Sequence, residues 1–222
     1  MNYLIIYYNT PELTTALCSS LLKQDDTAKI YLFDNSDKLP FRQAELFNVE
    51  YIDNTKNQLI DFDKELSEIP NLLRETQPIN SNHGSYKHAR SVEWFMSNFN
   101  IDDFILLDSD ILIKENPSII KDASKLAVGH INLRFEPFML YINLKKCKEN
   151  NIHFLDKHRM VYVSSLDAKY DTGGSFYEDI YLNNLPYTNM DLSSKYIHFG
   201  EGSWKGKEFR PWLLSNKILW SI

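Results

Sequence analysis

Residues 104–113 read FILLDSDILI. Four apolar residues without a polar interruption are the pattern of a strand buried on both faces. They run into Asp108-Ser109-Asp110, and a second apolar triplet, Ile111 to Ile113, follows at once. Alternation along extended backbone sends both carboxylates to one side and Ser109 to the other. Two carboxylates wedged between apolar runs are costly unless paired or bound to a cation. Hard oxygen donors at that spacing suit Mg²⁺ or Mn²⁺, which take few protein ligands and complete their shells with phosphate oxygens and water. A solvated acidic turn would have the same short sequence, so the rest of the chain has to decide between them.

Working outward, residues 3–8 (YLIIYY) are a second continuous apolar run, and Thr10-Pro11 after it has the form of a helix N-cap with proline at the first helical position. Leu13, Ala16, Leu17 and Leu21 recur at helical spacing. Residues 29–33 (KIYLF) form the next strand and end in Asp34-Asn35-Ser36-Asp37; residues 49–53 (VEYID) form a third and end in Asn54-Thr55. Strand, helix, strand, turn, strand predicts an α/β protein with a parallel sheet. Further on, the pattern predicts a short helix over 60–68, a helix over 85–98 with Ala89, Val92, Phe95, Met96 and Phe99 inward, and a helix after Asn116-Pro117. It also predicts strands over 126–132 and 160–164, helices over 141–150 and 176–184, and a late strand over 196–199. No repeat or low-complexity linker divides the 222 residues, so they read as one domain.

Composition excludes several classes. Hydrophobic residues make up 43%, which rules out disorder for the bulk of the chain, and a net charge of −6 makes it a poor binder of nucleic-acid backbones. Only seven glycines occur, the first at Gly84, so no glycine-rich phosphate loop follows the first strand. Five of the seven lie after residue 172, which marks late backbone that must bend near something. Cys18 and Cys147 lie far apart with no C-x-x-C, and read as buried thiols on helices in a reducing compartment. No basic leader and no run near ~18 apolar residues is present, so the expected location is cytoplasmic.

Polar residues collect where successive strands end: Asn9-Thr10, Asp34-Asn35, Asp53-Asn54 and Asp108-Ser109-Asp110. Open α/β sheets bind ligands outside those ends. His198, in KYIHFGEGSW, is a further candidate metal ligand, placed between a strand and a glycine-rich turn. In DTGGSFYEDI, Gly173 and Gly174 supply a turn and Ser175 a cap for a helix that carries Glu178 and Asp179, either of them a candidate general base.

In this order the motifs resemble those of GT-A-fold glycosyltransferases, nearest to the bacterial family-two type. LIIYYNTPELT resembles the first strand that opens their nucleotide pocket, LFDNSD the acidic turn that reads base or ribose, and FILLDSDILI the D-x-D that holds metal and diphosphate. GGSFYEDI resembles the helix start that supplies the base, and KYIHFGEGSW the late histidine ligand of some members. SNHGSYKHA resembles an H-G-x-x-L-D segment, with His88 where that pattern has Asp. The resemblance implies a single GT-A, Rossmann-like domain with a mostly parallel sheet flanked by helices. Residues 1–113 would form the nucleotide-sugar half, and residues 114–222 the acceptor half with a C-terminal loop. It implies a metal site of Asp108, Asp110 and His198 for Mn²⁺ or Mg²⁺, and donor contacts from Tyr8, Asn9, Thr10, Asp34, Asn35, Asn54, His83, Asp108, Ser109 and Lys205. Asp179, with Glu178 second, would be the base for attack from the face opposite the diphosphate, which is inversion. The acceptor would be a glycan or lipid-linked glycan, in bacterial surface polysaccharide or glycan synthesis.

The C-terminal stretch carries Lys205, Lys207, Arg210 and Lys217 among Trp204, Trp212 and Trp220. Its first part is expected to close over the donor. Residues 211–222 read either as a terminal helix on the core or as a surface that meets an anionic membrane at its inner face. Three other activities fit less well. A sugar-nucleotide pyrophosphorylase needs a basic glycine-rich loop where Thr10-Pro11-Glu12 stands, and a HAD-type phosphatase wants its D-x-D early and Thr or Val at Leu112. A non-enzymatic carbohydrate- or nucleotide-binding protein needs no acid helix beside a D-x-D.

Overall fold

A computed structural model describes residues 1–68, 83–132, 134–155, 162–163, 168–169 and 172–199. Strand β1 (Asn2–Tyr7) enters the core directly, and helix α1 (Pro11–Gln24) follows with Pro11 in its first turn. Then come β2 (Lys29–Asp34), β3 (Glu50–Asp53), α2 (Phe62–Glu68), α3 (His83–Asn98) and β4 (Phe104–Asp108). The remaining elements are β5 (Ile111–Ile113), β6 (Ala127–Ile131), β7 (Phe135–Ile142), α4 (Leu144–Glu149), β8 (Tyr162–Val163), β9 (Ala168–Lys169), α5 (Gly174–Leu182), β10 (Tyr187–Asn189) and β11 (Tyr196–His198).

Seven strands form one sheet in the order β10-β6-β7-β4-β1-β2-β3. The half built from β4, β1, β2 and β3 is parallel throughout, as the strand–helix–strand pattern predicts. β7 is the exception: it runs antiparallel to both β4 and β6, while β10 is parallel to β6. The sheet is therefore mostly parallel with one reversed strand near its centre. Each face carries its own apolar layer. Leu4, Ile6, Phe33, Leu106 and Leu140 pack with Val92, Phe95 and Met96 of α3; Tyr3, Ile5, Leu32, Leu107 and Met139 pack with Leu17, Cys18 and Leu21 of α1. Alternate residues of each strand serve opposite layers, which is why these strands read as unbroken apolar runs.

Four expectations change. Residues 135–142 form a strand that the pattern does not predict; its apolar run is interrupted by Glu136-Pro137, and proline is disfavoured in central ladders. The structure accommodates Pro137 beyond the last pairing with β4 (Leu107 with Met139) and within the irregularity of the β6–β7 ladder, between the Gly129–Leu140 and Ile131–Phe135 pairs. The helix expected from 141 accordingly begins at Leu144, capped by the Asn143 side chain on Lys146 N. Asn116-Pro117 starts only a 3-10 turn over Pro117–Ile120, and β10 was not foreseen. Of the strand expected over 160–164, Tyr162–Val163 is described, paired with Ala168–Lys169.

A glycine-poor chain still has to make left-handed turns, and here asparagine makes them: Asn9, Asn48, Asn57, Asn151 and Asn184 all have φ between 49° and 53°. Among the described residues no helix is long and apolar enough to cross a membrane. Cys18 and Cys147 are both buried free thiols on helices, and burial pushes Cys18 up to about 12.

Candidate active site

The parallel register brings the strand ends level. Tyr7 pairs with Asp34, Asp34 with Asp53, and Ile6 with Asp108, so four polar turns open along one edge of the sheet. At the β4 end, the chain turns at Asp108-Ser109-Asp110 into β5, which pairs antiparallel with β11; Ile111 faces His198 in that ribbon. Phe199 N donates to the Asp110 carbonyl at 3.0 Å, and Lys114 N to the Lys195 carbonyl at 2.9 Å. The ribbon is what delivers the late histidine: His198 Nε2 lies 3.3 Å from Asp110 Oδ1. One ligand atom from each of Asp108, Asp110 and His198 falls within 4.8 Å of the others.

The electrostatics of this corner are severe. Asp110 is 2% exposed and Asp108 half-buried, so two like charges meet where water reaches only one of them. Burial pulls the His198 imidazole toward neutrality. Its hydrogen bond to Asp110 and the charges of Asp110, Asp108 and Glu136 outweigh that and raise it above its ordinary value of 6.5. The ring also lies against Phe138, with centroids 4.0 Å apart and the planes tilted by 32°. Two carboxylate oxygens and one imidazole nitrogen converging at this spacing are a donor set that fits Mn²⁺ or Mg²⁺.

Glu136 was missed by sequence reading. It is 7% exposed on β7, paired with Arg134 at 3.4 Å, and its charge reaches both His198 and Tyr196. A single acid in an otherwise apolar stretch, FEPFMLYI, was the available signal. Tyr196 is pushed up to about 12 by burial and by the charges of Glu136, Asp191 and Asp108.

The neighbouring acid helix starts where the glycines suggested, by a different device. Gly173 has φ +86°, and a Cβ there would sit 2.5 Å from the Phe135 carbonyl oxygen, so only glycine fits. Gly173, not Ser175, is the N-cap of α5; the Ser175 hydroxyl donates instead to the Phe154 carbonyl at 3.0 Å. The close approach sets the start of α5 against the start of β7, where Arg134 Nε also donates to the Thr172 carbonyl at 3.2 Å. On the helix, Glu178 is 6% exposed and Asp179 is half-buried.

At the ends of β1 to β3 the polar side chains serve the protein itself. Asp34 is fully buried, and its carboxylate accepts from Ser36 N (2.7 Å), Phe41 N (2.9 Å) and the Tyr51 hydroxyl (2.6 Å). Asn35, 8% exposed, donates to Ser91 Oγ and accepts from Asn54 Nδ2; Asn54, 1% exposed, also accepts from Leu59 N and Ile60 N. The oxygens and amides of these three side chains hold the loops that follow. Asn9 Oδ1 accepts from Lys38 N and Leu39 N, Thr10 is buried, and Tyr8 is 39% exposed. His83 opens α3, with nothing described of its side chain, and Lys205 and the C-terminal stretch lie outside the described residues.

No protein-family profile and no curated protein matches the chain. Solved structures do. Mouse xyloside xylosyltransferase 1 in its apo form superposes with a TM-score of 0.53 at 11% identity, covering 86% of each chain. An active-site mutant of LgtC gives 0.52 at 15% identity, over 86% of this chain and 73% of that one. S. aureus TarS gives 0.55 at 13% identity, over 91% of this chain and 37% of that one. At such identities the likeness is one of fold: this chain has the GT-A fold of glycosyltransferases that its strand order and D-x-D suggested.

Proposed function

We propose that the protein is a metal-dependent glycosyltransferase that moves a sugar from a nucleoside-diphosphate sugar to an acceptor hydroxyl. The observation that carries this reading is the convergence of Asp108, Asp110 and His198 within 4.8 Å at the carboxyl edge of a GT-A sheet. A divalent cation bound there supplies charge neutralisation for a departing diphosphate. Asp108 and Asp110 hold the anionic side of that site. His198 acts as a ligand only when neutral, and Phe138 and the β5–β11 pairing fix its ring. Asp179 is the residue assigned to take the proton of the acceptor hydroxyl. Adjacent helix positions point roughly 100° apart, so Glu178 and Asp179 cannot both face one site, and Asp179 is the more open of the two. Attack from the face opposite the diphosphate gives inversion at the anomeric carbon. The test is incubation with a panel of nucleoside-diphosphate sugars and Mn²⁺, reading nucleoside diphosphate release and the anomeric configuration of the product by NMR. Release that needs the cation and is lost in Asp110→Ala supports the reading. Retention of configuration would remove Asp179 from the role of base. No release from any donor would leave a binding protein on a glycosyltransferase fold.

A further inference from the structure

Residues 152–155 are irregular backbone, yet Ile152, Phe154 and Leu155 are buried. Buried irregular backbone needs partners for its N–H groups. Here one side chain from another element supplies them. Glu93, in the second half of α3, sets a carboxylate that is 12% exposed against this stretch. Its Oε2 accepts from Phe154 N at 2.6 Å and from Leu155 N at 3.3 Å, and its Oε1 lies 2.8 Å from His153 Nδ1. α3 is itself anchored: Val92, Phe95 and Met96 pack into the core, and Arg90 pairs with Glu65 of α2 at 3.0 Å. The stretch held by Glu93 makes the next contact outward. The Phe154 carbonyl accepts the Ser175 hydroxyl at 3.0 Å, and the Phe154 and Phe176 rings lie 5.2 Å apart. Ser175 and Phe176 belong to the first turn of α5, the helix that carries Asp179.

We infer that Glu93 is a positioning residue for the transfer reaction: through residues 153–155 and Ser175 it sets the rotation of α5, and with it the place of the Asp179 carboxylate. This rests on the glycosyltransferase reading above and on its assignment of Asp179. The close approach of Gly173 to the Phe135 carbonyl fixes where α5 begins. Positions 173 and 175 lie roughly 200° apart around a helix axis, so the Phe154–Ser175 contact adds the second point that a defined rotation needs. The leverage is large. Turning a helix by about 20° moves a carboxylate on its surface by roughly 2 Å, and misplacing a reacting group by roughly 1 Å costs about 10²-fold in rate. Glu93 reaches this end of the molecule from α3, and it touches neither the Asp108–Asp110–His198 corner nor the ends of β1 to β3 among its printed partners, so its removal should leave donor binding in place.

The experiment follows nucleoside diphosphate release with Mn²⁺, water serving as acceptor, from whichever donor of the nucleoside-diphosphate sugar panel turns over. The variants are Glu93→Ala, Glu93→Asp, Glu93→Gln, Asp179→Asn, and each of the first two combined with Asp179→Asn. Hydrogen–deuterium exchange over residues 174–182, without metal, is the second readout. Glu93→Ala and Glu93→Asp should lower kcat about 10- to 100-fold, leave donor KM within about twofold, and speed exchange in α5. Asp keeps the charge but is one methylene too short. Gln has the right length: its oxygen can accept both backbone N–H groups and its nitrogen can donate to Nδ1 of a neutral His153. Glu93→Gln should therefore restore kcat to within about threefold of wild type. In the Asp179→Asn background the Glu93 changes should cost little more, since the group they displace is already gone. Unchanged kcat, a loss that falls on KM, a Gln variant as impaired as Asp, or losses that multiply in the double variants each overturn the inference; where Glu93→Ala does not fold, the Asp and Gln variants decide. Full turnover in Asp179→Asn removes the base assignment and this inference with it, while the transferase reading stands. Wild type that releases nothing from any donor defeats that reading as well.

Discussion

The ends of β2 and β4 carry the same sequence signature, an apolar strand running into aspartate and a small polar residue, and the structure uses them in opposite ways. At Asp34 the following loop folds back and three donors converge on one carboxylate, which becomes a structural acceptor with no exposed surface. At Asp108 the chain instead turns into β5, and a second carboxylate and a histidine are brought to face the first within 4.8 Å. An aspartate at a strand end is therefore not yet a site. What distinguishes the two is whether the chain that follows brings donors, which satisfy the charge, or more ligands, which concentrate it.

Removing a ligand from the concentrated corner should have the largest effect. Asp110→Ala is expected to reduce transfer about a thousandfold or more, because a cation worth several kcal/mol of charge stabilisation loses its most buried ligand. Above the raised titration of His198, where the ring is neutral and no ion pair is given up, the melting temperature without metal should stay level or rise, since a like-charge contact disappears. A large drop in metal-free stability would show that this corner, too, is structural, and the contrast with Asp34 would collapse.

Asp179→Asn sharpens the same side of the comparison. Turnover should fall by about 10²-fold or more with donor affinity little changed, the usual share of a general base. Full activity in Asp179→Asn together with loss in Glu178→Gln would move the role to the more buried acid.

Asp34→Ala should act on stability first. It leaves the Ser36 and Phe41 N–H groups and the Tyr51 hydroxyl without their acceptor, at a cost of about 1–3 kcal/mol in chemical denaturation. Nucleotide affinity should weaken only as the loop loosens, and Tyr51→Phe, which removes one donor, should cost less of both. Wild-type stability with lost nucleotide binding would mean that Asp34 touches the ligand after all.

The smallest effect is a pH dependence. His198 is raised when folded, so the folded state holds that proton more tightly than the unfolded chain does. Its contribution to metal-free stability is present below pH 6.5 and is lost as pH rises through the raised value. Added Mn²⁺ should show the reverse trend, stabilising more as pH rises, because coordination needs the neutral ring. Melting curves in EDTA and in Mn²⁺ between pH 6 and 9 test both signs, and Asp110→Asn should flatten the EDTA series.

Much of this was legible in the chain itself. Continuous apolar runs marked β1, β2 and β4 to within a residue or two, because strands covered on both faces leave no polar positions to confuse the pattern. Thr10-Pro11 placed the start of α1, and Gly173-Gly174 marked a bend that proved to require glycine at 173. Local rules carried these because backbone geometry and local sterics decide them. Other features belong to the tertiary structure alone. β7 is not predicted by the pattern, and Pro137 sits in it where both ladders skip a residue, past the last pair with β4 and between the Leu140 and Phe135 pairs with β6. His198 meets Asp110 only through the β5–β11 pairing, and Glu136 joins them only because β7 runs backward past β4. The sealing of Asp34 depends on Phe41 and Tyr51, from a following loop and the next strand. Sequence alone determined where charge would stand at the ends of strands; which charges are satisfied and which are gathered was decided by strand pairing and loop closure, since a carboxylate's fate depends on the donors and ligands that distant segments bring to it.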